Sequence, residues 1–257
     1  MNPRVVIVGG GPAGIRAAER LVEHGFAPIL LDEAPRVGGR IYQRPPKVPG
    51  FRRDAKALYG AEAEKAEKLY AAFAQFQPRL DYRPGASVFD VSDDRLIALI
   101  DGRREELGFD RLILATGAMD RIMPLPGWTL PGVFTLGGAQ IALKHQGCAI
   151  GHRVAFLGSG PLLYLAAYQY AKAGVHVAAV VTTASWAGFA AHFSGMAAQP
   201  GTAVKGAATI AKLLSWRIPI VAAVRPSRVL GTDSVTGIEV LADGRMRRFD
   251  CDALALG

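Results

Sequence analysis

Short, unbroken runs of aliphatic residues alternate along this chain with stretches whose apolar positions recur every three or four residues. Val5-Val6-Ile7-Val8 and Pro28-Ile29-Leu30-Leu31 are runs of the first kind and predict parallel strands buried on both faces. Between them Ala17, Ala18, Leu21 and Val22 share one face of a stretch from Ile15 to His24 that stops at Gly25, which predicts a helix. The same succession returns later: a strand at Arg153–Leu157, a helix from Leu162 to Ala173 closed by Gly174, and a strand at Val175–Val181. Asp54 to Gln77 predicts a further amphipathic helix region, with Leu69, Phe73 and Phe76 on one face and Glu64 and Lys68 one turn apart. Ile210, Leu213 and Leu214 predict a short helix before Pro219; the rest of Trp186–Trp216 shows no clear period.

Each strand–helix–strand unit is followed by a run of short strands. Residues 87–117 read as strand, turn, strand, an Asp101-Gly102 hairpin, strand, and then Phe109 to Gly117. Residues 220–257 follow the same course, with an Asp243-Gly244 hairpin and a closing stretch from Phe249 to Gly257. The plan therefore occurs twice, from Gly9 to Gly117 and from Gly158 to Gly257, and predicts an α/β fold of two Rossmann-like domains, each with a β-meander. Breakers crowd residues 123–132, which suits a crossover. The expected division is a first domain over 1–122, a crossover over 123–150 and a second domain over 151–257.

The turn after the first strand, GGGPAG at 9–14, fits GxGxxG with Gly9, Gly11 and Gly14, while Pro12 and Ala13 lead into the helix. The first glycine permits the turn, the second admits a pyrophosphate to the backbone, and the third lets helix and strand pack closely. The helix start offers unpaired N–H groups to the anion. An acid about 20 residues on accepts the ribose hydroxyls. Asp32 and Glu33 both stand there, and position favours Asp32, which is 18 beyond Gly14. In the second copy Gly158 and Gly160 remain, but Leu163 replaces the third glycine. The position 18 further on is Val181, followed by Thr182 and Thr183, with no acid for a ribose diol and no arginine for a 2′-phosphate. A second adenine nucleotide, NAD(P) or ATP/ADP, is left open there, with NADH and NADPH both weakened.

Composition narrows the rest. Glycine supplies 30 of the 257 residues, well above the usual share of about 7%, in keeping with many tight turns. The net charge of +8 comes from basic residues scattered in pairs, with no basic helix and no interleaved aromatics, which points away from nucleic acid. Cys148 and Cys251 have neither metal-ligand nor CxxC spacing, so no disulfide framework or metal site is expected. His24, His145, His152, His176 and His192 have no carboxylate at local spacing and read as structural or surface residues, so no catalytic base is named. The apolar run before the first glycines has four residues, too few for a signal peptide, and the uncharged stretch 173–204 carries histidines, Pro200 and hydroxyls. A cytoplasmic protein without a transmembrane segment is expected.

Taken together with Ala34-Pro35-Arg36-Val37-Gly38-Gly39-Arg40, the first copy resembles the flavoproteins with two dinucleotide-binding domains related to the pyridine nucleotide-disulfide oxidoreductases. GGRIYQRPP at 38–46, the stretch 114–144 and the stretch 154–174 are similar to the flavoprotein subunits of opine oxidases, hydrogen cyanide synthase and dye-linked amino- and imino-acid dehydrogenases. The resemblance implies FAD at the first turn, held by the glycines and Asp32 together with Gly39, Arg40, Val88, Thr116 and Gly117. It implies that the second domain is inserted within the FAD domain, whose return segment is expected beyond Gly257. It further implies a hetero-oligomer, in which an amine- or amino-acid-oxidase-like partner oxidises a C–N bond of a small substrate and this subunit passes the electrons on. An iron–sulfur centre would lie outside these residues. Its two cysteines form no redox pair, so these residues depart from the glutathione and thioredoxin reductase mechanism unless such a pair lies beyond Gly257. Two other readings stay open: an NAD(P)H-dependent flavin reductase, and a non-enzymatic subunit that binds an adenine nucleotide.

Overall fold

A computed structural model describes residues 3–44, 54, 56, 60–185 and 200–257. Two compact units divide the chain, Met1–Ala118 and Met119–Gly257.

In the first unit β1 (Val5–Val8), β2 (Ile29–Asp32), β3 (Asp81–Pro84) and β7 (Arg111–Leu114) form a parallel sheet in the order β3-β2-β1-β7. The aliphatic runs do what both-face burial requires. Ile7 and Leu30 enter one cluster with Ile15, Ala18 and Val22 of helix α1 (Pro12–Glu23) and Leu69, Phe73 and Phe76 of helix α2 (Ala63–Phe76). Val6 and Leu31, one residue along, enter the opposite cluster with Leu96, Ala98 and Leu107 of the antiparallel meander β4 (Ser87–Ser92), β5 (Arg95–Ile100) and β6 (Arg103–Gly108). Helix α2 is preceded by a single 3-10 turn at Gly60–Glu62, and Lys68 and Glu64 pair across one turn at 2.6 Å. The expected helix region also takes in residues 55 and 57–59, which lie outside the described residues.

The second unit repeats this plan. Its parallel sheet has the order β11-β10-β9-β15-β8, from β8 (Val133–Thr135), β9 (Arg153–Gly158), β10 (His176–Thr182), β11 (Ile220–Val221) and β15 (Ala253–Leu256). Helix α3 (Leu136–Ile141), which runs on as a π-turn through Gln146, packs on one face with helix α4 (Pro161–Lys172) and Leu213 of helix α5 (Pro200–Ser215). The meander β12 (Arg225–Leu230), β13 (Gly237–Ala242) and β14 (Arg245–Asp250) covers the other. Both Asp-Gly hairpins form with positive φ at both residues, 50° and 75° at Asp101-Gly102 and 51° and 72° at Asp243-Gly244, the geometry that favours this pair.

Within residues 123–150, Val133–Thr135 forms the edge strand beside β15, and the first compact unit ends at Ala118. The helix expected before Pro219 is the 16-residue α5. One expectation is corrected: Gly257 does not match Gly117. Ala115 N donates to Val8 O at 2.8 Å and Gly257 N to Leu157 O at 3.0 Å, so Gly257 stands where Ala115 does. The two-residue shift arises before β15, where Asp252 takes the role of Asp110. Asp110 accepts the Arg4 N–H at 2.6 Å, and Asp252 accepts those of His152 and Arg153 at 3.0 and 2.8 Å, each tying down the start of a central strand. His192 lies outside the described residues. Among the described residues no helix is long and apolar enough to cross a membrane, and no cluster could hold a metal ion.

These two carboxylates join strand starts that are distant in sequence. Asp252→Ala is expected to lower stability by about 1–2 kcal/mol, the loss of two hydrogen bonds to a charged group at an exposed position. A urea midpoint indistinguishable from wild type would contradict it.

Candidate dinucleotide site

Val8 pairs with Leu31 on one side and Leu114 on the other, which places Gly9, Asp32 and Ala115 side by side at the carboxyl edge of the first sheet. Ligands of open α/β sheets bind at that edge. Gly9 has φ +108°, and a Cβ there would lie 2.3 Å from the Ala115 carbonyl oxygen. At Gly14 a Cβ would lie 1.8 Å from the Gly9 oxygen, so helix α1 touches its own turn. Gly10, which the fingerprint leaves free, is equally constrained: its Cβ would fall 2.2 Å from Asp32 Oδ2. The segment 34–40 folds back onto this turn. Gly38 N donates to Gly10 O at 2.9 Å, and a Cβ at Gly39 would come within 2.9 Å of Gly11 Cα. No side chain caps α1, whose N-cap is Gly11 and whose first residues are Pro12 and the exposed Ala13. Its first-turn amides are thus the anion-facing end of a 12-residue helix.

The two acids that compete in sequence separate in space. Asp32 is 8% exposed and Glu33 faces solvent. Asp32 Oδ1 accepts the Ala34 N–H at 3.2 Å, while Oδ2 is buried at Gly10 without a hydrogen-bond partner among the described residues. Burial raises the carboxyl above its usual pKa, opposed by the Ala34 and Gly10 backbone and reinforced by the Glu33 charge. Gln43 Oε1 of the same unit is also buried without a hydrogen-bond partner among the described residues, and burial together with the Asp32 charge pushes the Tyr82 phenol up to about 12. A carboxylate left half-satisfied beside a turn that excludes side chains suits a polyol and a pyrophosphate, so these residues fit an adenine dinucleotide.

The remaining sequence candidates fall in two groups. Thr116 follows β7 with its N atom 3.2 Å from where a Gly9 Cβ would be, and exposed Gly117 turns at φ +79° with open space around it. Arg40 is exposed beside Gly39. Val88 is half-buried, paired with Ala98 just before a bulge, and packs against the cluster beneath the sheet. Gly10 and Gly38 belong to the motifs quoted from the sequence but are not among its site residues; the triple glycine and the Gly38-Gly39 pair are the signals that point to them.

The second unit's turn is built differently. Gly158 pairs with Thr182, so the position of Asp32 is held by Thr182, not by Val181 as a count from Leu163 suggests. Backbone contacts confirm the equivalence. Ala34 N meets Asp32 Oδ1 and Ala184 N meets Thr182 Oγ1, both at 3.2 Å; Ala86 N meets Asp32 O at 2.9 Å and Val224 N meets Thr182 O at 3.2 Å. Positive φ has moved within the turn, from the first glycine (Gly9) to the second, where Gly160 has +83° against −74° at Gly11.

Residues 3–200 match the family model described as pyridine nucleotide-disulphide oxidoreductase. Hydrogen cyanide synthase subunit HcnB of Pseudomonas protegens is 41% identical over 182 residues, which are 70% of this chain and 38% of that protein. An opine oxidase subunit of Agrobacterium tumefaciens is 37% identical over 189 residues, 70% of this chain and 37% of that one. The chain thus matches well under half the length of these relatives. Among solved structures, L-proline dehydrogenase from P. horikoshii superposes with a TM-score of 0.59 at 23% identity, covering 99% of this chain and 41% of that one. Thioredoxin reductase of T. acidophilum gives 0.65 at 17%, covering 99% and 76%. Both likenesses speak to the fold.

Because the folded-state pKa of Asp32 is raised, its ionisation costs stability above the usual carboxylate range, and that cost disappears as the acid protonates. Asp32→Asn in the flavin-free protein is therefore expected to raise the urea midpoint at pH 7, with a gain that shrinks as pH falls below the carboxyl's folded pKa. A midpoint lowered at pH 7 would contradict this.

Proposed function

We propose, from the premise that this chain belongs to the pyridine nucleotide-disulphide oxidoreductase family of FAD-dependent oxidoreductases, that it is the flavoprotein subunit of a multi-subunit dehydrogenase or oxidase acting on the C–N bond of an amino acid, imino acid or opine. The observation that carries an adenine dinucleotide to the first unit is the cradle itself: Gly9, Gly10 and Gly14 leave no room for side chains, and the buried Asp32 carboxylate sits at that turn, while the family makes FAD the dinucleotide of this reading.

In this reading the α1 amides and the Gly11 backbone hold the pyrophosphate, and Arg40 lies beside it. Asp32 accepts the ribose hydroxyls, Thr116 and Gly117 border the dinucleotide at the strand end, and Val88 offers its backbone to adenine. When bound, the flavin supplies the capacity to take up an electron pair and release it to another carrier. The protein's own residues supply orientation, a desolvated carboxylate, and a turn where the backbones of Gly11 and Gly39 come close together.

Dithiol chemistry is disfavoured by the two cysteines of this chain. Cys251 is buried and its thiol is pushed up to about 11, chiefly by burial, so it is not a thiolate at neutral pH, while Cys148 is exposed and also free. The multi-subunit character follows the two relatives named above, each of which is a subunit by name. An amine- or amino-acid-oxidase-like partner would carry out the C–N oxidation.

Two measurements bear on this. Asp32→Ala in the full-length protein is expected to weaken FAD binding about 10- to 100-fold, the worth of hydrogen bonds to a charged group, read by flavin fluorescence. Co-expressed with its partner subunit, the full-length protein is expected to reduce an artificial dye with an amino acid, imino acid or opine as donor. Dye reduction that needs no partner and runs on NADH would overturn the subunit reading.

A further inference from the structure

We infer that Leu163, Tyr164 and Thr182 close the second unit's turn to pyridine nucleotides, so that neither NADH nor NADPH exchanges electrons with this protein through that unit. This deepens the flavoprotein reading and rests on it for its functional meaning, whereas the site described here lies wholly in the second unit.

The residue comparison is internal to the chain, because the register equates Gly14, Ile15 and Asp32 with Leu163, Tyr164 and Thr182. In the first unit a single methyl group at Gly14 would fall 1.8 Å from the turn's own carbonyl. Leu163 puts a whole isobutyl group at that level and is fully buried. The turn therefore cannot have the first unit's geometry, and it does not: the left-handed residue has shifted from the first glycine to Gly160. Backbone amides that would converge on a pyrophosphate in one conformation are aimed differently in the other.

The ribose end is closed by the protein's own hydroxyls. Thr182 is 1% exposed, against 8% for Asp32. Its Oγ1 accepts the Ala184 N–H, and it lies close enough to the Tyr164 phenol to offset part of the upward push that burial exerts there. The neighbouring Thr183 hydroxyl donates to the Gly158 carbonyl at 3.4 Å. Both strand-end hydroxyls thus turn inward onto the protein. A neutral threonine also lacks the charge that makes a carboxylate a strong acceptor for a ribose diol. Residues 173–204 contain no lysine or arginine, so β10 and the stretch that follows it offer an adenosine 2′-phosphate no cation of their own.

The test is a titration of the full-length flavoprotein with NADH and with NADPH, following nicotinamide fluorescence for binding and, without oxygen, flavin absorbance for reduction. The wild type is expected to show no saturable binding up to about 1 mM, the upper end of ordinary substrate constants, and no flavin bleaching. A variant carrying Leu163→Gly, Tyr164→Ile and Thr182→Asp, which copies the first unit, is expected to gain NADH affinity by about tenfold or more, the worth of one hydrogen bond to a charged group. Thr182→Asp alone, the milder change, is expected to gain measurably and serves where the triple variant does not fold. Micromolar binding of either nucleotide to the wild type overturns the inference, as does a folded variant that gains nothing. The titration is run on protein whose first unit is saturated with FAD, checked by its visible absorbance, because an empty first unit could itself take NADH; protein that takes up no FAD fails the FAD assignment before the titration begins, so the two failures are distinct.

Discussion

At the turn between β1 and α1 the backbone passes so close to itself and to Asp32 that side chains are excluded at Gly9, Gly10 and Gly14 together. That exclusion sets the geometry of the first unit. It brings the helix start against the strand end, so that the unpaired amides of α1 and the carboxyl edge of the sheet share one place. It also seats the Asp32 carboxylate where water is largely excluded, so that burial raises its pKa. The cluster under the turn, with Ile7, Ile15 and Leu30 fully buried, makes the arrangement rigid.

In the second unit that constraint survives at Gly158, where a Cβ would run into the Gly257 carbonyl, and is lifted at Leu163. Strand order, meander, Asp-Gly hairpin and the aspartate that ties down the central strand are all kept. An edge strand and a two-residue insertion before β15 are added, and at the turn a buried leucine stands where the first unit has its third glycine and a buried threonine where it has its acid. A duplicated scaffold has thus kept its packing and altered its chemistry, which is the sense in which fold and function separate.

Much of this was legible in the sequence, for identifiable reasons. Continuous aliphatic runs flanked by glycine turns marked β1, β2, β9 and β10, because a strand buried on both faces needs apolar residues at every position. Asp81–Pro84 was missed because DYRP is an edge strand with little burial, and Val133–Thr135 because three residues among prolines and glycines carry no period. Helix α5 is rich in alanine and glycine, so its core-facing Leu213 gave too faint a stripe. At the site, choosing between Asp32 and Glu33 needed burial, which spacing does not supply. Thr182 and Gly257 were misplaced because counting along the chain overlooks where strands pair; a two-residue insertion before β15 is visible only through the hydrogen bonds of Asp252.

The central claim is that a side-chain-free turn and one buried carboxylate hold FAD in the first unit. The most direct measurement is the visible absorption spectrum of the purified full-length protein, wild type beside Gly14→Ala, with the released cofactor identified by mass. The account predicts a yellow wild type releasing FAD in a one-to-one ratio, and a folded Gly14→Ala protein from which the flavin is lost. A colourless wild type that does not take up added FAD, or a Gly14→Ala protein that retains it fully, would contradict the account.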